Sequence, residues 1–478
     1  MLFNSLDFAV FFGVVCALYF ALGQRWRWML LLVASYVFYM QWNASYAFLI
    51  LASTCVDYVA GRAMAAAESR RRQTGILLGS LGFNLGMLFT FKYWSFFHTS
   101  LAQGLGAVGV SYAPPELDVL LPVGISFYTF QTLSYTIDIW RGELKPERHF
   151  GKFALFVTFF PQLIAGPIER AKHLLPQLDR EVAFDFERVQ SGLQLMGWGL
   201  FKKVVIADNL SVYVDAVYGN PQAHSGWTLG FATYAFAFQI YCDFSGYSDI
   251  AIGAAKVLGF DLMKNFERPY FSQSITEFWR RWHISLSSWL RDYLYISVGG
   301  NRRGRWKTYR NLMITMVLGG LWHGASWNFV IWGTLQGVML AASRVTLPWR
   351  DKMSKRLGIP SLAVSGWRML VTFHLVCLSW IFFRAATFDD AMVIIGRIAG
   401  VMPGPEGLAL LDINILLSAA VGLGVMGAVQ VLQERKGSGR EWLARRPVAL
   451  RWGAYVAMAL GITLFGAESA GQFIYFQF

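Results

Sequence analysis

The sequence predicts an all-α protein that crosses a membrane about ten to twelve times, and three observations carry that expectation. Of the 478 residues, 55% are hydrophobic and only 15% are charged, against roughly 25% charged in soluble domains. With a mean hydropathy of +0.41, a water-soluble chain of this length could not hide its apolar surface. Apolar runs of helix-spanning length recur near 6–22, 28–42, 45–60, 75–97, 119–140, 191–218, 227–258, 311–343, 369–385, 411–432 and 449–466. Finally, the basic residues behind the net charge of +13 gather in short clusters between those runs. That is the signature of membrane topology, not of a nucleic-acid partner.

The amino terminus, MLFNSLDFAVFFGVVCALYFAL, lacks a basic leader and carries Asp7 ahead of its apolar run. It therefore reads as a retained first span, not as a cleaved signal. Arg25 and Arg27 follow that span, Arg62 and Arg70–Arg72 the third, and Arg141, Lys145 and Arg148 the fifth, while 98–118 holds no Lys or Arg. Positive-inside then places both chain ends outside the cytoplasm, with the aromatic tail GQFIYFQF suited to an interfacial anchor or a partner contact. The segment FALFVTFFPQLIAGPIER contains Pro161, Gly166 and Pro167. Proline removes a backbone donor and clashes with the preceding turn, so this stretch is expected to be re-entrant, with a kinked ordinary helix as the alternative.

Ser274 and Glu277 have the spacing of a capping box. Behind them Trp279, Trp282, His283, Leu286, Trp289, Leu290 and Tyr293 fall on one helical stripe. An amphipathic helix at the cytoplasmic interface is the expectation, with His283 on its buried face.

The chemistry-bearing candidates are ionisable groups at membrane depth, which are costly and point to function by default. His323 lies in LGGLWHGASWNF, flanked by Gly319, Gly320 and Gly324. The 33 residues between Arg310 and Arg344 are too many for one crossing at about 1.5 Å per residue and few for two. A hairpin or broken helix with His323 near its tip fits, and an imidazole suits general-base work on a hydroxyl. A core histidine satisfied by a carbonyl at a kink is the competing reading. Asp243 and Asp249 in YCDFSGYSDIAIG, with Lys202 and Lys203 in GLFKKVVIA, are expected to pair, either as a tunnel wall or as a structural link between helices.

Arg280, Arg281, Arg302 and Arg303 could hold the phosphates of a coenzyme A thioester, although positive-inside topology explains the same charges. Cys16, Cys55, Cys242 and Cys377 all lie in apolar segments without metal-ligand spacing. They read as packed thiols, and no metal site is expected.

Taken together, WRRWHISLSSWLRDYLYI, GGLWHGASWNFVIWG, IYCDFSGYSDIAIG and PQLIAGPIER resemble the membrane-bound O-acyltransferases, in the branch that serves alginate O-acetylation. LPVGISFYTFQTLSYTIDIWRG and the terminal FIYFQF look like the same branch, so the resemblance spans nearly the whole chain. It implies a single domain over 1–478: N-terminal helices to 140, a catalytic core over 141–345, and C-terminal helices from 346. The implied fold is a ring of helices around a thinned centre crossed by a funnel or tunnel.

Also implied is an acyltransferase of a bacterial inner membrane, which takes acetyl from a cytoplasmic donor such as acetyl-CoA without a bound cofactor. A periplasmic SGNH-type partner would then place the acetyl group on a polysaccharide. By resemblance His323 is the catalytic histidine and His283 the second, with Trp322, Gly320, Asp243, Ser245 and Trp282 along the substrate tunnel. The same chemistry on peptidoglycan, cellulose or another envelope polymer, and a non-enzymatic transporter, are the alternatives.

Overall fold

A computed structural model describes residues 1–117, 121–164, 166–302, 304–405, 413–467 and 473–474. The described residues contain helices and no strand. Six helices are long and apolar enough to cross a membrane: Tyr46–Ala66, Arg70–Ala107, Trp327–Arg356, Ser361–Arg384, Ile415–Lys436 and Val448–Phe465. Other segments counted from the sequence are shorter, such as Leu6–Ala21, or packed inside protein. Ile125–Arg141 and Gly226–Val257 are buried along most of their length.

Close helix approach at the centre depends on glycine. Phe186–Phe201 crosses Gly226–Val257 where Gly192 and Gly199 on one face Gly253 and Gly246 on the other. A Cβ on Gly199 would sit 2.5 Å from the Gly246 carbonyl oxygen. Small residues let backbones approach where lipid supplies no hydrophobic drive for association. The crossing brings the π-helical turn Lys202–Ala207 against the 226–257 helix. There Lys203 pairs with Asp208 at 2.8 Å and Asp243 at 2.7 Å, and Lys202 with Asp249 at 2.8 Å. The pairing expected from the sequence is present as an interhelical ion network.

Two expectations need correction. The stripe from Trp279 to Tyr293 is buried as expected, but it is not one helix. Ile275–Arg281 ends at Trp282, His283 takes a left-handed φ of 43°, and Ile284–Trp289 begins afresh before a π-helical turn over Leu290–Tyr295. A periodicity argument is blind to a single left-handed residue. The second correction concerns the carboxyl-terminal tail. Phe473 and Ile474 are buried within protein, not laid at an interface. Phe473 packs on Tyr247 at 4.4 Å, and the Ile474 backbone N–H donates to Asp243 Oδ2 at 2.7 Å. The rest of that terminal motif lies outside the described residues.

The 151–190 stretch is broken, as its prolines require. Phe150–Thr158 ends at Phe159, and Phe160–Leu163, Ala171–Leu174 and a 3-10 turn over Leu175–Asp179 follow. Residues 153–160 are buried throughout. Several arginines of the basic connections are tied to neighbouring segments. Arg70 donates to the Trp140 carbonyl, Arg141 to the Asp292 carbonyl, Arg27 to the Val182 carbonyl and Arg440 to the Ser191 carbonyl, while Arg268 pairs with Glu434.

Candidate active site

His323 is the last residue of Arg305–His323, and the chain turns through 324–326 into Trp327–Arg356. This is the hairpin that the spacing of the basic flanks predicts. Its two arms touch backbone to backbone: a Cβ on Gly320 would lie 2.2 Å from the Phe329 carbonyl oxygen, and one on Gly333 2.3 Å from that of Met316. The imidazole at the tip is 3% exposed. Trp322, Trp332 and Phe383 surround it at ring separations of 5.1, 5.1 and 5.4 Å.

His283 is fully buried, and its ring centre lies 6.4 Å from that of His323. Its left-handed backbone is uncommon for a residue with a side chain and marks a place where surrounding structure enforces strain. Asn265 does the enforcing. Its backbone carbonyl accepts from Ile284 N at 2.9 Å, its side-chain Nδ2 donates to Ser248 Oγ at 3.1 Å, and its Oδ1 meets His283 Nδ1 at 3.0 Å. That oxygen also accepts from Ser285 Oγ at 2.9 Å and Ser285 N at 3.4 Å. A backbone N–H can only donate, so Oδ1 is the acceptor and His283 Nδ1 carries the proton. Nε2 is then the lone-pair nitrogen, an acceptor of protons. A neutral His283 in this tautomer therefore supplies no donor to a developing oxyanion.

A cavity of about 70 Å³ is lined by His323, Trp322, Lys92, Ser126, Gly124 and neighbouring residues from 121 to 127. Trp322 spans between the two histidines, with its ring 5.9 Å from His283, and its indole N–H donates to the Ser126 carbonyl at 3.3 Å.

The other sequence candidates distribute themselves as follows. Trp282 packs on Phe278, Phe266 and Trp380. Gly320 serves the hairpin contact. Asp243 and Ser245 face the lysine network, with Ser245 accepting from Lys202 at 2.8 Å. Phe244 between them is the residue against His283, at 4.6 Å. Arg280 and Arg302 are exposed, whereas Arg281 pairs with Glu277 at 2.8 Å and Glu434 at 3.6 Å. Arg303 lies outside the described residues. Cys242 packs against Met426, and the described residues hold no cluster of metal-ligating side chains.

Lys92 and Asn265 carry no sequence expectation, yet both touch the histidine segments. A lone lysine in LFTFKYWSFF was the available signal for the first. For the second there was none, because an asparagine in a loop is unremarkable until its partner is known.

One buried imidazole on the wall of a small chamber, with a second 6.4 Å from it, suits proton transfer in acyl exchange. A sequence profile of MBOAT, the membrane-bound O-acyltransferase family, matches residues 145–382. A probable alginate O-acetylase, AlgI, of Pseudomonas putida is 39% identical across 100% of both chains. The chain belongs to the membrane-bound O-acyltransferase family. The corresponding Pseudomonas aeruginosa protein is 43% identical over 82% of this chain and 73% of its own. A peptidoglycan O-acetyltransferase of Helicobacter pylori is 34% identical over 77% and 73%. This protein is thus a multi-pass membrane acyltransferase.

Proposed function

We propose that this acyltransferase takes acetyl from a cytoplasmic thioester, acetyl-CoA, and passes it across a bacterial inner membrane for O-acetylation of an exopolysaccharide such as alginate. The observation that carries the reading is a buried imidazole at the tip of a hairpin, His323, with that of His283 6.4 Å away. His323 removes the proton from an acceptor hydroxyl as that oxygen bonds to the thioester carbonyl carbon. When the tetrahedral intermediate collapses, the carbon–sulfur bond breaks and the imidazolium returns its proton to the departing thiolate. His283, held by Asn265 through Nδ1, orients the acceptor or thiol hydrogen.

Gly319 and Gly320 are inside a helix, where backbone N–H groups are committed to carbonyls four residues back. A chamber of about 70 Å³ fits a short acyl group and not a polymer, in keeping with a periplasmic SGNH-type partner that finishes the transfer. The alginate relatives at 39–43% identity favour that polymer; the relative at 34% keeps peptidoglycan as the second acceptor.

Sided membrane vesicles test both chemistry and orientation. With labelled acetyl-CoA outside inside-out vesicles, label should enter an acceptor sealed within. Equal labelling of right-side-out vesicles, or none in either, contradicts the proposal.

A further inference from the structure

The last three carbonyls of the His323 helix are bound from another span. The four terminal carbonyls of any helix lack intrahelical partners, and a left-handed glycine commonly turns the chain back to cap them. Gly324 follows His323 but is extended, with φ −160°, so it forms no such cap. Instead, Tyr93 Oη donates to the Leu321 carbonyl at 2.7 Å, and Lys92 Nζ donates to those of Trp322 at 2.8 Å and His323 at 3.0 Å. Both donors belong to a π-helical turn, Phe89–Tyr93, set within the long span Arg70–Ala107. Such turns are rare and recur at functional sites.

Lys92 has no carboxylate partner among the described residues. Its remaining contact is Ser126 Oγ at 3.4 Å, on the wall of the chamber that His323 also lines. A cation at membrane depth is expensive to keep. Its placement at the negative end of a helix dipole offsets part of that cost.

We infer that Lys92, assisted by Tyr93, is a positioning residue that clamps the final turn of the hairpin arm and so fixes the His323 imidazole in the chamber. The inference rests on the proposed role of His323 as the base. A terminal residue is where a helix frays, and a displacement of 1 Å at a reacting group can cost about 10²-fold in rate. The clamp acts on the turn that carries the base. Its loss should therefore appear in kcat and not in KM for the donor.

The test uses the full chain in membrane vesicles, with initial rates of acetyl transfer from acetyl-CoA normalised to folded protein. Wild type, His323→Ala, Lys92→Met, Lys92→Arg and Tyr93→Phe are compared. Lys92→Met should lose about 10²-fold in kcat at unchanged KM, Lys92→Arg should recover much of the loss, and Tyr93→Phe should lose less than Lys92→Met. A wild-type kcat in Lys92→Met, with His323→Ala inactive, overturns the clamp alone. An active His323→Ala overturns the reading beneath it. If Lys92→Met does not fold, Tyr93→Phe decides: lowered kcat at unchanged KM supports the clamp, and wild-type kcat overturns it.

Discussion

Asn265 holds the geometry of His283 through both its backbone and its side chain, so its loss should be felt in the chemistry. Asn265→Ala removes the Oδ1 acceptor of His283 Nδ1 and Ser285 while leaving the backbone bond from Ile284 N, and transfer should fall by about 10²-fold. Initial rates in vesicles check this, and an unchanged rate would remove Asn265 from the site. A second residue-scale outcome concerns pH. His173, in the short helix Ala171–Leu174, meets the buried Glu169 carboxylate at 2.8 Å. That hydrogen bond raises its pKa above 6.5, against the opposing effect of burial. A raised folded pKa gives stability that is full below pH 6.5 and fades as pH climbs through the folded value. The unfolding temperature of wild type should therefore exceed that of His173→Gln most in acid, and equal gaps at about pH 6 and pH 9 would contradict the pairing. His323 stood out in the sequence because an ionisable group in an apolar run is conspicuous, and His283 because it fell on the apolar stripe of an amphipathic segment. Lys92 did not, because one lysine in a span also reads as a side chain reaching for the interface.

At the scale of elements, the hairpin was legible from the distance between Arg310 and Arg344, since helix rise fixes how much chain two crossings need. What spacing could not give is how tightly the arms close. With a Cβ on Gly320 only 2.2 Å from a carbonyl oxygen, backbone itself would have to move. Gly320→Ala should cost about 1–3 kcal/mol, whereas Gly230→Ala, on a helix face with open space around it, should be neutral or mildly stabilising. Thermal unfolding in detergent separates them, and equal stability of the two variants would argue against the close contact. The segment holding His283 shows the converse limit. Its buried face followed from the apolar stripe, but the break at His283 depends on Asn265, a partner 18 residues away that no local pattern reveals.

For the whole molecule, the basic clusters read from the sequence tie neighbouring segments together, through Arg27, Arg70, Arg141, Arg268 and Arg440. The burial of Phe473 and Ile474 was not legible, because an aromatic tail suits an interface and a core equally well; the Asp243 contact decides it. The molecule as a whole thus surrounds one hairpin tip with protein and closes its polar groups into networks, leaving a small chamber against the imidazole. The most direct measurement is single-turnover transfer from labelled acetyl-CoA by His323→Ala beside wild type, with equal folding verified by thermal unfolding. Removing a general base should slow the step by about 10²–10⁴-fold while donor binding persists. A folded His323→Ala protein that transfers acetyl at the wild-type rate would contradict the account.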